Sequence, residues 1–443
     1  MEETLQLLLR QHVGAPCKPI VAAGAHVQRG QLIAVPEGLG ANLFSSAAGT
    51  VTEILPDRIN IKADAEQPEG FVPIKDGTKL EMITEAGIVG MGGAGFPTGI
   101  KLKTPIPGGY VLINAAECEP GLVHNIRQIE KEAEKIVRGV RHVMEITQAK
   151  EAIFAIKKKN EAAVKRLRDA IKNEADMRIH LLADIYPMGE ERAVVRECLG
   201  IELGTTQLPS AANAVVLNVE TIARITEAIE EHKPCFSKNM TVVGKLVGGN
   251  APHVFYDVPV GTSVGTMIEK AGGIDGIYGE IIMGGPFTGR AVELDAPVTK
   301  TTGGIIVTID LPDLHGAKIG ILNCACGGNE ARMRDICAKM HGEVVSICRC
   351  KQAVENKPGA PLKCERPGIC PGQAQNSIKF KKDHCEYILV GNCSDCTNTV
   401  MGSAPKMGLK VFHQTDHVMR TIGHPLYRFL KVSREVEQLP NGK

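Results

Sequence analysis

Residues 87–103, GIVGMGGAGFPTGIKLK, and residues 110–120, YVLINAAECEP, decide how this chain folds. Six glycines (Gly87, Gly90, Gly92, Gly93, Gly95 and Gly99) crowd a loop that leads into a β-branched strand ending at Asn114, with Glu117 and Glu119 just beyond it. Without a Cβ in the way, backbone amides of such a loop can close on a phosphate, and positive φ is tolerated. The pattern points to a bound phosphate or flavin. On its own it is also the pattern of a glycine-rich turn packed under a sheet.

Beyond this stretch, strands alternate with helices, as expected of a mostly parallel sheet covered on both faces. Residues 110–114 read as a strand. Residues 125–146 place Ile126, Ile129, Ala133, Ile136, Val137, Val140, Val143 and Met144 at three- and four-residue intervals, which defines one apolar helical face. Strands are expected over 152–156 and 178–182, with a helix between them that Asn160 caps. YPMGEERAVVRECLG then places a helix between Gly189 and Gly200, its N-terminus suited to a bound anion.

Four motifs, GMGGAGFPTGIKL, INAAECEP, YPMGEE (186–191) and LNVET (217–221), follow one another over about 130 residues. Together they resemble the flavin-binding core shared by the 51-kDa NADH-binding subunit of respiratory complex I and the RnfC subunit of ion-pumping ferredoxin:NAD oxidoreductases. The resemblance covers roughly residues 1–310. It implies FMN as cofactor and NADH as donor. It further implies that Gly90, Gly92, Gly93, Ala94 and Gly95 line the flavin phosphate and ring, with Lys101 adding positive charge and Phe96 stacking. Asn114, Glu117 and Glu119 would face the isoalloxazine edge or the nicotinamide. Tyr186, Gly189, Glu190 and Glu191 match the second glycine-glutamate loop, and Asn218 and Thr221 the asparagine-rich phosphate contact. Met91, Ala116 and Leu217 stand where complex I has arginine, aspartate and asparagine; the first two follow the RnfC-like branch.

The chain has 443 residues, a formal charge of +1, 43% hydrophobic and 23% charged residues, which is an ordinary globular composition and gives no reason to expect nucleic-acid binding. No stretch approaches the ~20 apolar residues needed to span a bilayer, so no transmembrane segment and a cytoplasmic location are expected. The fold class expected is multidomain α/β, in four parts. The short β-branched runs over 17–66 read as a small all-β module, and its pattern resembles the barrel-sandwich module that begins RnfC-type proteins, expected over residues 1–80. Its turn, LFSSAAGT, lacks the modifiable lysine of biotinyl and lipoyl carriers, so it is structural. The resemblance implies a Rossmann-like flavin and NADH domain over residues 81–236 and a β-grasp module of the soluble-ligand-binding type over residues 237–304, and residues 300–304 read as a linker. GGPFTG (284–289) is placed to close over the flavin site. Residues 305–443 form a cysteine-rich α/β domain.

Ten of the fourteen cysteines lie between Cys324 and Cys396. Cys17, Cys118, Cys198 and Cys235 are scattered singly and read as small buried hydrophobes, Cys118 the least clearly. In the tail, KIGILN ends in Cys324 and Cys326, EVVSI in Cys348 and Cys350, and YILVGN in Cys393 and Cys396, with a helix over 329–340. If these strands are parallel, six thiols converge at their carboxyl ends, where open α/β sheets put their sites. Cys364 and Cys370 lie on a proline-rich excursion. Cys324, Cys326, Cys348, Cys350, Cys364 and Cys370 are candidate iron-sulfur ligands, since soft thiolates select such clusters or zinc. Cys393-Ser-Asp-Cys396 reads instead as a catalytic dithiol at a helix N-terminus, where thiol pKa values fall. His413, His417 and His424 fit surface or capping roles, and 426–439 an amphipathic helix.

The tail lacks the ferredoxin cysteine runs of RnfC and of the complex I protein. A flavin core of the RnfC type with such a tail most resembles the electron-transfer proteins associated with D-proline reductase, many of them selenoproteins. That resemblance implies electrons passing from NADH through FMN and tail cysteines to D-proline reductase, or exchange with an Rnf complex or ferredoxin, within an oligomer or larger complex. The alternative is a flavin-free iron-sulfur or scaffold protein.

Overall fold

Alternating apolar residues build the N-terminal unit. In strand Arg58–Ala63, Ile59 and Ile61 are fully buried while their neighbours reach outward, and Leu5 and Leu7 do the same in Thr4–Leu8. These two strands join Gly49–Ile54 and His26–Val27 in one antiparallel sheet; Cys17–Pro19, Leu32–Pro36 and Leu43–Phe44 make a second, and the two enclose a core that includes Val27, Ile33 and Val51. The computed structural model describes residues 4–325, 328–359, 362–366, 370–391 and 394–424, the side chains of 394–398 excepted. Cys326, Cys393, the thiol of Cys396 and the helix expected over 426–439 lie outside them.

The second unit is a four-stranded parallel sheet in the order Met177–Leu182, Glu151–Lys157, Tyr110–Ala115, Ala214–Asn218. Helix His124–Thr147 turns its apolar stripe onto this sheet, burying Ile129, Ala133, Ile136, Val137, Val140 and Val143. Helix Glu161–Ile171 follows Asn160, whose side chain makes no capping bond, contrary to expectation. Its backbone there, at φ −85° and ψ 55°, departs from the extended geometry that brings a cap oxygen onto the first amides. The sheet order reverses between the first and last strands, so Asn114 and Asn218 stand side by side at the carboxyl-end crevice.

The third unit is a five-stranded sheet in the order His253–Pro259, Ser237–Gly244, Gly304–Val307, Ile281–Met283, Arg290–Val292. Gly304–Val307 lies parallel to Ser237–Gly244 at its centre and is buried throughout. The boundary expected at 304/305 therefore falls too early: residues 300–303 lie outside the strands, as a linker would, but the third unit's sheet runs on to Val307. Lys300 is 1% exposed, and its Nζ donates to Asn42 O and Gly87 O, each at 2.7 Å, stapling three units at the root of the glycine loop.

The tail forms a second parallel sheet, in the order Glu343–Arg349, Lys318–Asn323, Tyr387–Val390, Lys410–His413, with helix Glu330–Lys339 after its first strand. It docks through charge and apolar surface together. Glu280 of the third unit, 7% exposed, accepts from Arg332, Lys339 (2.6 Å) and His417 (3.0 Å). Val418 and Ile422 pack on Val243, Ile282 and Ile306. His413 and His417 are thus buried, not surface groups, because the helix carrying His417 faces the third unit's sheet.

Candidate functional site

The glycine loop is held by its ends and open in its middle. Met91 N donates to Thr221 Oγ1 at 3.0 Å, and Gly90 N to Phe96 O at 2.9 Å. Gly95, at φ +73°, presses on Gln11 O and on His12; a Cβ there would sit 3.1–3.2 Å from them. Gly92, Gly93 and Ala94 in between are exposed. A Cβ at Gly92 would lie 2.5 Å from Asn218 Nδ2, and one at Gly93 would meet nothing within 4 Å. Asn218 also caps helix Val219–Glu231 by accepting from Glu220 N (2.9 Å), so a helix N-terminus opens beside the loop. That is a cradle fit for an anionic group.

The cradle forms one wall of a cavity of about 1670 Å³, more than the ~300–1,000 Å³ of most small-molecule pockets. Met91, Gly92, Gly93, Ala94, Asn114, Glu117, Glu119, Tyr186, Gly189, Glu190 and Asn218 line it; so does Cys118. Gly90, Gly95, Phe96, Lys101, Glu191 and Thr221 are not among the cavity's lining residues. Lys101 is occupied by Glu191 and by Val216 O (2.8 Å), so its charge is spent inside the protein. Thr221 is fully buried as the peg of the loop.

Several lining carboxylates and amides are likewise engaged. Asn114 donates to Gly189 O (2.8 Å) and accepts from Ala116 N (3.1 Å), tying the two glycine motifs together. Glu119 accepts from Phe287 N (2.8 Å), Thr288 N (3.0 Å) and Thr288 Oγ1 (2.6 Å), which anchors the loop over 284–289 as part of the cavity wall. Glu190 caps helix Glu191–Leu199, accepting from Arg192 N and Ala193 N. Glu117 sits at φ +36°, and burial pushes its carboxyl up to about 7; Asn125, donating at 3.0 Å, opposes this and Glu119 adds to it. Burial likewise pushes the Cys118 thiol up to about 11, although Gly189 N donates to it at 2.7 Å.

Arg192 is a cavity residue that the motifs do not single out. Its Nε bonds Glu190 (3.0 Å), its Nη2 donates to Cys364 O (3.0 Å), and its buried Nη1 has no partner among the described residues while the residue lines the cavity. A cation in the first turn of a helix opposes the macrodipole, and that anomaly was the available signal.

Across the cavity stand Asn323, Ala325, Arg349, Lys363 and Cys364 of the tail. Cys324 and Cys350 share a small buried cluster with Ala353. The Gln373 amide donates to Cys350 Sγ (3.1 Å) and reaches Cys370 Sγ (3.7 Å). Cys348 does not join them. It packs with Phe380, Cys385 and Ile388 under helix Ala374–Lys382, because the strand ends at Arg349 and the two-residue spacing from Cys348 to Cys350 no longer keeps one face. The convergence of six thiols thus fails at Cys348. Burial raises the thiols of Cys348 and Cys350, with Gln373 opposing at Cys350. Among the described residues no three His, Cys, Asp or Glu side chains gather as a metal-binding group, and no helix is long and apolar enough to cross a membrane. Cys17, Cys198 and Cys235 are buried, and Cys118 partly so.

Known proteins resemble this chain in sequence. Residues 83–227 match the Nuo51 FMN-binding domain, and residues 1–72 the RnfC barrel sandwich hybrid domain. The cobalamin reductase PduS of Citrobacter freundii is 37% identical over 54% of this chain; the chain spans about half, 51%, of that relative's length. The RnfC-type component of the proton-translocating ferredoxin:NAD(+) oxidoreductase complex of Clostridium ljungdahlii is 33% identical, over 67% of this chain and 69% of its own. Its counterpart in the Na(+)-translocating complex of Acetobacterium woodii is 31% identical, over 67% and 71%. A solved NAD+-reducing [NiFe]-hydrogenase chain aligns at 23% identity and a TM-score of 0.43, over 53% of this chain and 46% of that one.

Proposed function

This chain belongs to the RnfC family of the ion-translocating ferredoxin:NAD(+) oxidoreductases, and from that premise we propose that it is an FMN-dependent electron-transfer oxidoreductase, taking electrons from NADH and releasing them through its cysteine-rich tail. The observation that carries this reading is that one cavity is bordered on one side by residues 92–94 and on the other by Cys364. Bound FMN would supply a centre that accepts hydride and passes electrons on.

The chain's own residues would do the rest. Amides of Gly92 and Gly93, the N-terminus of helix Val219–Glu231 and Asn218 would hold the phosphate. Arg192, whose Nη1 has no partner among the described residues, adds positive charge to the same cavity, and its Nη2 grips the tail at Cys364 O. Glu119 keeps the 284–289 loop over the cavity and water out. Cys324, Cys350 and Cys370 would lie on the way out, with Cys393 and Cys396 as the terminal dithiol that meets the acceptor. D-proline reductase is the acceptor proposed.

An anaerobic spectrum of the purified protein tests the reading. Flavin bands that bleach on adding NADH support it, and a colourless protein that oxidises no NADH overturns it. NADH oxidation that depends on D-proline and added D-proline reductase would support the acceptor.

A further inference from the structure

Helix His124–Thr147 begins at the cavity wall, and its cap position, Val123, has no side-chain cap bond. The amides of Val123 and His124 both donate to Thr241 Oγ1, at 3.1 and 3.2 Å. With both lone pairs of that oxygen taken, its proton is left for His124 Nδ1, 3.2 Å away. The imidazole is 2% exposed, and burial, with Lys238 adding, pushes its pKa well below the ordinary value, so the ring is neutral and carries its own proton on Nε2. Nε2 has no partner among the described residues. His124 lines the cavity, and a Cβ on Gly303, another lining residue, would lie 3.8 Å from Nε2.

Asn125 completes the pair. It is 6% exposed, its Nδ2 donates to Glu117 Oε2 at 3.0 Å, and its buried Oδ1 has no partner among the described residues while the residue lines the same cavity. Consecutive buried residues thus offer one donor and one acceptor, and the acceptor is stripped of solvent. An apolar ligand would leave each unmet and bind more weakly for it. A carboxylate would satisfy His124 and oppose Asn125.

We propose that His124 and Asn125 form a carboxamide-recognition pair, Nε2–H donating to the carbonyl oxygen and Oδ1 accepting from the amide nitrogen of a nicotinamide. This rests on the reading of NADH as donor and adds the residues that select its carboxamide. Both are positioning residues that set specificity.

The test compares NADH with its reduced 3-acetylpyridine analogue, which keeps the carbonyl and lacks the NH2, using ferricyanide as acceptor. Asn125→Ser is expected to lower kcat/KM for NADH roughly tenfold and leave the analogue unchanged, collapsing the preference. His124→Phe should lower both alike. A preference ratio unchanged in Asn125→Ser overturns the pair. Should that variant not fold, calorimetry on the unmodified protein decides: NAD+ binding no tighter than nicotinic acid adenine dinucleotide overturns it, and a tenfold gap supports it. Failure of the unmodified protein to oxidise either reduced dinucleotide would instead sink the donor reading.

Discussion

The glycine-loop sheet and the tail sheet each have four parallel strands, and each sends its chemistry out at the carboxyl ends. They prepare that chemistry by opposite means. In the first, directed hydrogen bonds fix nearly every polar group: Asn114 and Asn218 are spoken for by backbone, Glu190 by its helix, Glu119 by the 284–289 loop. In the second, sulfur is fixed by packing, and burial raises the thiols of Cys348 and Cys350. A site held by bonds has its donors aimed before a ligand arrives; one held by packing changes when its neighbours move.

Undocking the tail puts this contrast to its severest trial. Glu280→Gln leaves Arg332, Lys339 and His417 without their shared carboxylate. A loss of about 3–5 kcal/mol is expected. Denaturant titration should show the tail melting first, and one unshifted transition would contradict the docking. Next in size, Gly92→Ala drives a Cβ onto Asn218 and should cut flavin retention at least tenfold with the fold intact. Retention equal to the parent protein's would mean that the loop is not the cradle.

Glu117 probes the bonded side by pH. Its folded pKa, about 7, lies above the ordinary 4.5, so the native state holds the proton more tightly and stability drains away as pH rises from 4.5 towards 7. Glu117→Gln removes that drain. Its gain over the parent should be near zero at pH 4.5 and reach about 1–3 kcal/mol above pH 7; melting curves with a pH-independent difference would refute it. The smallest effect is expected at Cys348. Cys348→Ala should cost about 1 kcal/mol in stability and leave electron delivery to an acceptor unchanged, since this thiol packs away from the cavity. Slowed delivery would put Cys348 back on the path.

Much of the local structure was legible in the order of residues. The three- and four-residue spacing from Ile126 to Met144 marked the long helix, and Gly189 and Gly200 bracketed the next one, now Glu191–Leu199 with Gly200 at its left-handed end. Strand Gly304–Val307 was misread because a short run behind KTTGG carries turn signals, and only pairing on both edges makes it the centre of a sheet. Arg192, His124 and Asn125 were not singled out, because each gains its meaning from partners elsewhere in the chain: Cys364, Thr241 and, eight residues off, Glu117.

The succession of units, the glycine cradle and the clustering of sulfur in the last third were written into the chain itself, since they depend on backbone freedom, side-chain periodicity and composition, all local properties. Which polar groups remain open to the cavity emerged only on folding, because that is a matter of subtraction: a carboxylate or amide is available to a ligand only after every distant donor and acceptor has claimed its share. Glu119 was claimed by Phe287 and Thr288, while Arg192 Nη1 found no partner among the described residues.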